Sequence, residues 1–241
     1  MTGDAVKAIK DLAEENYIVV EDNTGVKFCR DKLRPVVYQP EVQALSIHSL
    51  DGIIDYLNIH NVGPYIIHIV DHNLVRILGP IEKPLLKRNC YLLSTLRNYE
   101  GFPYERYIPH EEFIIKLRTK FEETEDLLKL IEYTSKLTID NHIEATDDGC
   151  SQTAMVKKGI SGSLGERKEA PSMLVLQPFR TFREIEQPES LFLFRVKASG
   201  APTCALFEAD GQCWKDEAVE SIANYLQDGM KNLDIDVPII K

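Results

Sequence analysis

The sequence predicts an α+β fold, mostly antiparallel β-hairpins with about five helices. Short β-rich runs recur in pairs around turn residues, as in Tyr17 to Val20 and Val26 to Cys29 about Glu21-Asp22-Asn23-Thr24-Gly25. Other segments space their apolar residues for one face of a helix. At 241 residues, 44% hydrophobic and 27% charged, the chain has material for one sizeable core or two small ones, which excludes collagen, coiled-coil rods and wholesale disorder.

Taken in order, Val6, Ile9, Leu12 and Ala13 share a face of an amphipathic helix over residues 4–15. The first hairpin follows, with Asn23 and Gly25 suited to the positive φ of its reversal. Beyond Pro35 and Pro40, Ala44 to Ile47 reads as a strand, and Ser49 as the N-cap of a helix carrying Leu50, Ile53, Ile54 and Leu57. Tyr65 to Val70 and Leu74 to Leu78 flank Asp71-His72-Asn73 as a hairpin that Gly79-Pro80 ends, and Asn89 to Leu96 adds a strand. Gly101 to Pro109 is a connection rich in Tyr and Pro. Pro109 suits the first turn of a helix, Glu111 and Glu112 suit its positive end, and Phe113, Ile114, Leu117 and Phe121 share its inner face. Thr124 caps the next helix, with Leu127, Leu128, Ile131 and also Leu130 packing inward. These two helices divide the chain into an N-terminal α+β lobe, 1–121, and a β-rich C-terminal lobe, 122–241, with a closing helix; the alternative is one compact domain.

From Leu137 the period becomes two: Ile139, Asn141, Ile143 and Ala145 alternate with polar residues, Asp147-Asp148-Gly149 turns, and Ser151 to Lys157 returns. Gly159 to Pro171, with three glycines and two serines, predicts a mobile loop. Met173 to Leu176, Phe179 to Gln187, Leu191 to Lys197 and Thr203 to Ala209 read as strands. A last helix from Trp214 to Gln227 aligns Trp214, Ala218, Ile222, Tyr225 and Leu226, and Val237 to Ile240 is a closing strand.

A net charge of -10 argues against a protein built to coat nucleic acid, because neutralising phosphates needs a surplus of Lys and Arg. The acidity is uneven: residues 1–120 hold 15 basic and 16 acidic side chains, residues 121–241 hold 13 and 22. No apolar run reaches signal-peptide or membrane-spanning length, so a soluble, unsecreted chain without a membrane partner is expected. Five widely spaced cysteines, none in Cys-x-x-Cys form, suggest reduced and mostly buried thiols.

The densest polar cluster is Arg180, Arg183, Glu184, Glu186 and Gln187, with Arg195 soon after. On a strand, Arg183, Ile185 and Gln187 would face one way and Arg180, Phe182, Glu184 and Glu186 the other. Cross-strand ion pairs at a subunit contact are one reading. Recognition of a phosphate or carboxylate by Arg180 and Arg183 is the other, with Glu184 and Glu186 competing for the guanidinium groups. Lys157 and Lys158 would add cations to such an anion site, or simply face solvent. Glu208 and Asp210, two apart on a strand, would share a face and offer oxygen ligands to a divalent cation if Asp147 and Asp148 came close. Against this, Asp210-Gly211 is ordinary turn chemistry. His68 and His72 have zinc-ligand spacing only on a helix, and here they fall on a strand and its turn. There is no nucleophile motif and no phosphate-binding loop, so no cofactor beyond that divalent cation and no catalytic residue is expected.

Three strings together resemble an uncharacterised family of bacteriophage and prophage proteins common in Gram-positive hosts. They are Asp147-Asp148-Gly149-x-Ser151-Gln152; Pro178 to Ser190 with Phe192, Phe194 and Arg195; and Leu206 to Gly211 with Trp214-Lys215. The resemblance implies a phage-encoded protein made in the host cytoplasm and brings no activity with it. The function expected is non-enzymatic, through homo-oligomeric assembly and binding: a scaffold or shell, or sequestration of a host protein or small anionic signalling ligand to counter defence. Two other classes stay open. One is a divalent-metal-dependent enzyme on nucleotides or nucleic acid using Glu208, Asp210, Asp147 and Asp148. The other is a nucleic-acid accessory protein with a basic patch at Lys83, Lys87, Arg88 and Arg97.

Overall fold

The computed structural model describes residues 3–7, 11, 19–21, 23, 27–29, 42–60, 63–83, 86–97, 100–137, 153–156, 166–197 and 201–241. The fold is α+β with mostly antiparallel pairing. Residues 3–7 and 11 are helical, and β1 (Val19–Glu21) pairs antiparallel with β2 (Lys27–Cys29), as the first hairpin requires.

A five-stranded mixed sheet follows. β3 (Leu45–Ile47) leads into α1 (Asp51–Ile59); then come β4 (Ile66–Asp71), β5 (Leu74–Glu82) and β6 (Lys87–Thr95). β4, β5 and β6 form an antiparallel meander with β3 parallel to β6 at one edge. The N-cap of α1 is Leu50, one residue later than expected, and Ser49 just before it still accepts the Gly52 N–H on its Oγ at 3.2 Å. Gly79-Pro80 does not end the second hairpin: β5 runs on to Glu82 through register shifts between Ile77 and Ile81, which accommodate the missing Pro80 N–H.

The second sheet has four antiparallel strands. β7 (Ile108–Pro109) enters α2 (His110–Lys120), which α3 (Glu125–Ser135) follows; β8 (Thr153–Val156) and β9 (Glu166–Glu169) then pair with each other. β10 (Met173–Leu176), β11 (Ser190–Lys197) and β12 (Thr203–Glu208) complete the order β10-β11-β12-β7. The long α4 (Trp214–Lys231) and the parallel edge strand β13 (Ile239–Ile240) then return to the first sheet, where β13 pairs with β4.

Each sheet has its own core. Leu50 at the N-cap of α1, Ile53 and Leu57 within it, and Ile222, Leu226 and Met230 of α4 bury against Ile67, Val75, Ile77 and Leu92. Phe113 and Leu117 of α2 and Leu127, Leu130 and Ile131 of α3 bury against Leu174, Phe192, Phe194 and Leu206. Both cores draw residues from either side of position 121: Phe182 and Ile185 belong to the first, Phe102 and Phe113 to the second. Thr124 Oγ1 caps α3 as expected, accepting the Leu127 N–H. Leu130 is fully buried, in line with the inward face, whereas Leu128 points outward at 45% exposure against expectation.

Two further sequence expectations change. Phe179 to Gln187 is an irregular segment, not a strand, so the two-face assignment of Arg180 and Arg183 does not apply. The tail of the Gly159 to Pro171 stretch is strand β9; Gly159 to Gly165 lies outside the described residues. So do Ile139 to Gly149, with Asp147 and Asp148, and Lys157 and Lys158. Among the described residues, no helix is long and apolar enough to cross a membrane.

Candidate functional site

The irregular segment after β10 is organised from within by a buried amide. Gln187, 2% exposed, accepts the Arg180 and Thr181 N–H groups at 3.0 and 3.2 Å and donates to the Phe182 and Ile185 carbonyls at 3.0 and 3.4 Å. All four of its bonding directions are used on one turn of chain. The segment is tied outward too. The Phe179 N–H donates to the Lys120 carbonyl at 2.9 Å, and the Thr181 hydroxyl to the His72 carbonyl at 2.6 Å.

Two arginines three residues apart thereby reach opposite fates. Arg180 lies inward, its guanidinium 3.8 Å from the Trp214 ring centroid, paired to Glu208 at 2.7 Å and bonded to Ser190. Ser190 in turn donates to Asp210, which also accepts the Gln212 N–H in the turn before α4. Glu208 and Asp210 are thus engaged by Arg180 and Ser190, and the described residues hold no group of three or more His, Cys, Asp or Glu placed for a metal. Beside this knot, the His72 ring stands edge-on to Trp214 at 4.7 Å. Burial alone would raise the Asp71 carboxyl, but the His72 N–H and ring and the Lys215 charge outweigh it and hold the carboxyl below its ordinary value.

Arg183 faces outward into a cleft of about 460 Å³ lined by His48, Leu96, Arg97, Phe179, Thr181, Arg183 and Glu184. Sheet topology explains the grouping. Because β3 and β6 run parallel, their carboxyl ends lie at the same edge of the sheet, and His48 and Leu96-Arg97 follow those ends directly. The β4–β5 turn sits there too, through the Leu96 N–H bond to the Asn73 carbonyl, and Thr181 is anchored to that turn.

Arg97 and Arg183 are exposed and have no ion pair or hydrogen bond among the described residues. His48 Nδ1 lies 2.8 Å from the Thr95 carbonyl, which can only accept, so Nδ1 holds the proton and Nε2 is left for a ligand. Glu184 Oε1 accepts the Leu50 N–H at 2.7 Å and so adds an anchor at the start of α1. At the same end of that helix, the Tyr225 hydroxyl donates to Asp51, and this bond together with burial pushes the phenol up to about 12.

No family model, curated protein or solved structure matches the chain. The chemistry of the cleft is therefore read from its own residues. Of the sequence candidates, Arg183 and Glu184 line it, Gln187 shapes it from behind, and Arg180 is engaged elsewhere. Glu186 is exposed, and Arg195 is buried in β11 with its Nη1 on the Phe194 carbonyl at 3.2 Å. The sequence pattern does not mark His48, Arg97 and Phe179 for such a site. The sequence offers Arg97 only as part of a basic patch, and nothing local in it shows that three distant segments meet. The thiols divide as well: Cys204 is buried, and burial pushes it up to about 12, whereas Cys213 is exposed.

Proposed function

We propose that this protein binds a small anionic ligand in the cleft of His48, Arg97 and Arg183. The observation carrying this is that two guanidinium groups line one cavity with no carboxylate partner among the described residues, while the neighbouring Arg180 is paired. Exposed arginines within reach of one site favour a phosphate or carboxylate held by charge-assisted bonds. The resemblance to phage proteins supports sequestration in the host cytoplasm as the setting. Differential scanning fluorimetry against pyrophosphate, citrate and nucleoside diphosphates tests it. At least one should raise Tm by a few degrees at about 100 times its Kd, and Arg183→Ala should abolish the rise. No shift with any of them ends the proposal.

Self-association is a second reading, favoured by the sheet face opposite α2 and α3. Met173 and Val175 of the edge strand β10 are 50% and 40% exposed there, beside half-buried Leu191, Leu193 and Phe207. Val175 N–H is already taken by Asp126 at 3.1 Å, so a second copy would dock on the face rather than extend the edge. Light scattering should give a dimer or larger species that Val175→Lys dissociates; a monomer at micromolar concentration rules it out.

A further inference from the structure

We propose that the ligand of this cleft is an organic phosphate bearing a planar ring, of nucleoside-diphosphate size, with its phosphates at Arg97, Arg183 and His48 and its ring on Phe179. The inference rests on the anion-binding reading and deepens it. Size comes first: about 460 Å³ falls within the roughly 300–1,000 Å³ of small-molecule sites and far exceeds a bare phosphate.

The walls then narrow the class. Phe102, Tyr104, Phe113, Phe121, Phe192 and Phe194 pack ring on ring in the second core. Phe179 pairs with no other ring among the described residues and lines the cleft half-buried, with Leu96 as a second apolar wall. Its position is fixed by the bond from its own N–H to the Lys120 carbonyl, so a stacking partner would meet a preorganised surface.

Glu184 decides between a bare polyanion and a larger molecule. A carboxylate in the lining repels inorganic pyrophosphate, whereas it accepts hydrogen bonds from sugar hydroxyls or an exocyclic amine. With Oε1 on the Leu50 N–H, its carboxylate is held in place as an acceptor rather than swinging onto Arg183. Two guanidiniums suit two or more negative charges at the other end, and His48 would add an Nε2–H donor there when its ring carries both protons.

Calorimetry on the full chain tests this with ADP, GDP, UDP, inorganic pyrophosphate and adenosine. At least one nucleotide should bind about tenfold or more tighter than pyrophosphate, since base–aromatic stacking is worth about 1–3 kcal/mol. Phe179→Leu, which keeps the apolar bulk and so the fold, should weaken that nucleotide about fivefold or more and leave pyrophosphate within about twofold. Arg183→Ala should weaken both. If pyrophosphate or citrate binds through Arg183 and no nucleotide does better, the ring inference is overturned and the anion site stands. Binding of none of the anions overturns both. A nucleotide that binds equally well to Arg97→Ala and Arg183→Ala sits elsewhere, and the assignment to this cleft fails.

Discussion

Gln187 shows how one uncharged side chain can decide what two charged ones do. Its amide replaces the strand ladder that the sequence pattern predicted: by taking the Arg180 and Thr181 N–H groups and feeding the Phe182 and Ile185 carbonyls, it curls the chain where a strand would have extended it. Arg180 is thereby turned onto Trp214 and Glu208, and Arg183 toward the cleft. Gln187→Ala would strand several buried backbone groups and should lower the unfolding free energy by about 2–4 kcal/mol, read from urea denaturation. Gln187→Glu should not rescue it, because a carboxylate would face the Phe182 and Ile185 carbonyls. A loss below about 1 kcal/mol for Gln187→Ala would mean the segment is held by its other anchors. From sequence, the cluster could be located but not oriented. Alternation of polar and apolar residues suggests period two, whereas the buried pair Phe182 and Ile185 is spaced three apart, as a turn requires.

At the scale of elements, what was legible depended on whether the cause was local. Turn chemistry at Asp71-His72-Asn73, the Thr124 cap and the apolar spacing of α1 and α4 act within a few residues, and each appears where the sequence places it. The departures have causes far along the chain. β5 passes through Pro80 because bulges absorb the missing donor beside β6. Leu128 is displaced from the α3 interface because Leu127, Leu130 and Ile131 already fill the ridge facing β10 and its neighbours. Gly229, in the interior of α4, would by propensity alone weaken its helix. A Cβ there would lie 2.3 Å from Ile54 Cδ1, so the glycine leaves the room that the Ile54 side chain of α1 occupies against α4. The cleft is the extreme case. It joins residues 48, 96–97 and 179–184, which only the parallel register of β3 and β6 and the His72–Thr181 bond bring together.

For the whole molecule, the segment 177–189 is the connection between two cores. It leaves the second sheet at β10, plugs Phe182 and Ile185 into the core of the first, and returns to the second as β11. Arg180 bridges the same gap, over Trp214 at the head of α4 and near Phe192 of β11. Stability and the shape of the cleft are therefore linked through Phe182, which is fully buried. Phe182→Ala should cost about 3–5 kcal/mol, and Phe194→Ala, an equal deletion in the other core, should cost about as much. The two should differ in where the damage is felt. Hydrogen exchange under native conditions should show the Arg180 and Thr181 amides losing protection in Phe182→Ala beyond what global destabilisation explains, while Phe194→Ala lowers their protection only in step with the whole fold. If both variants change these amides equally relative to their stability, Phe182 is ordinary core filling. Should they differ as expected, the geometry that aims Arg183 and Phe179 into the cleft is held by a side chain buried in the opposite core.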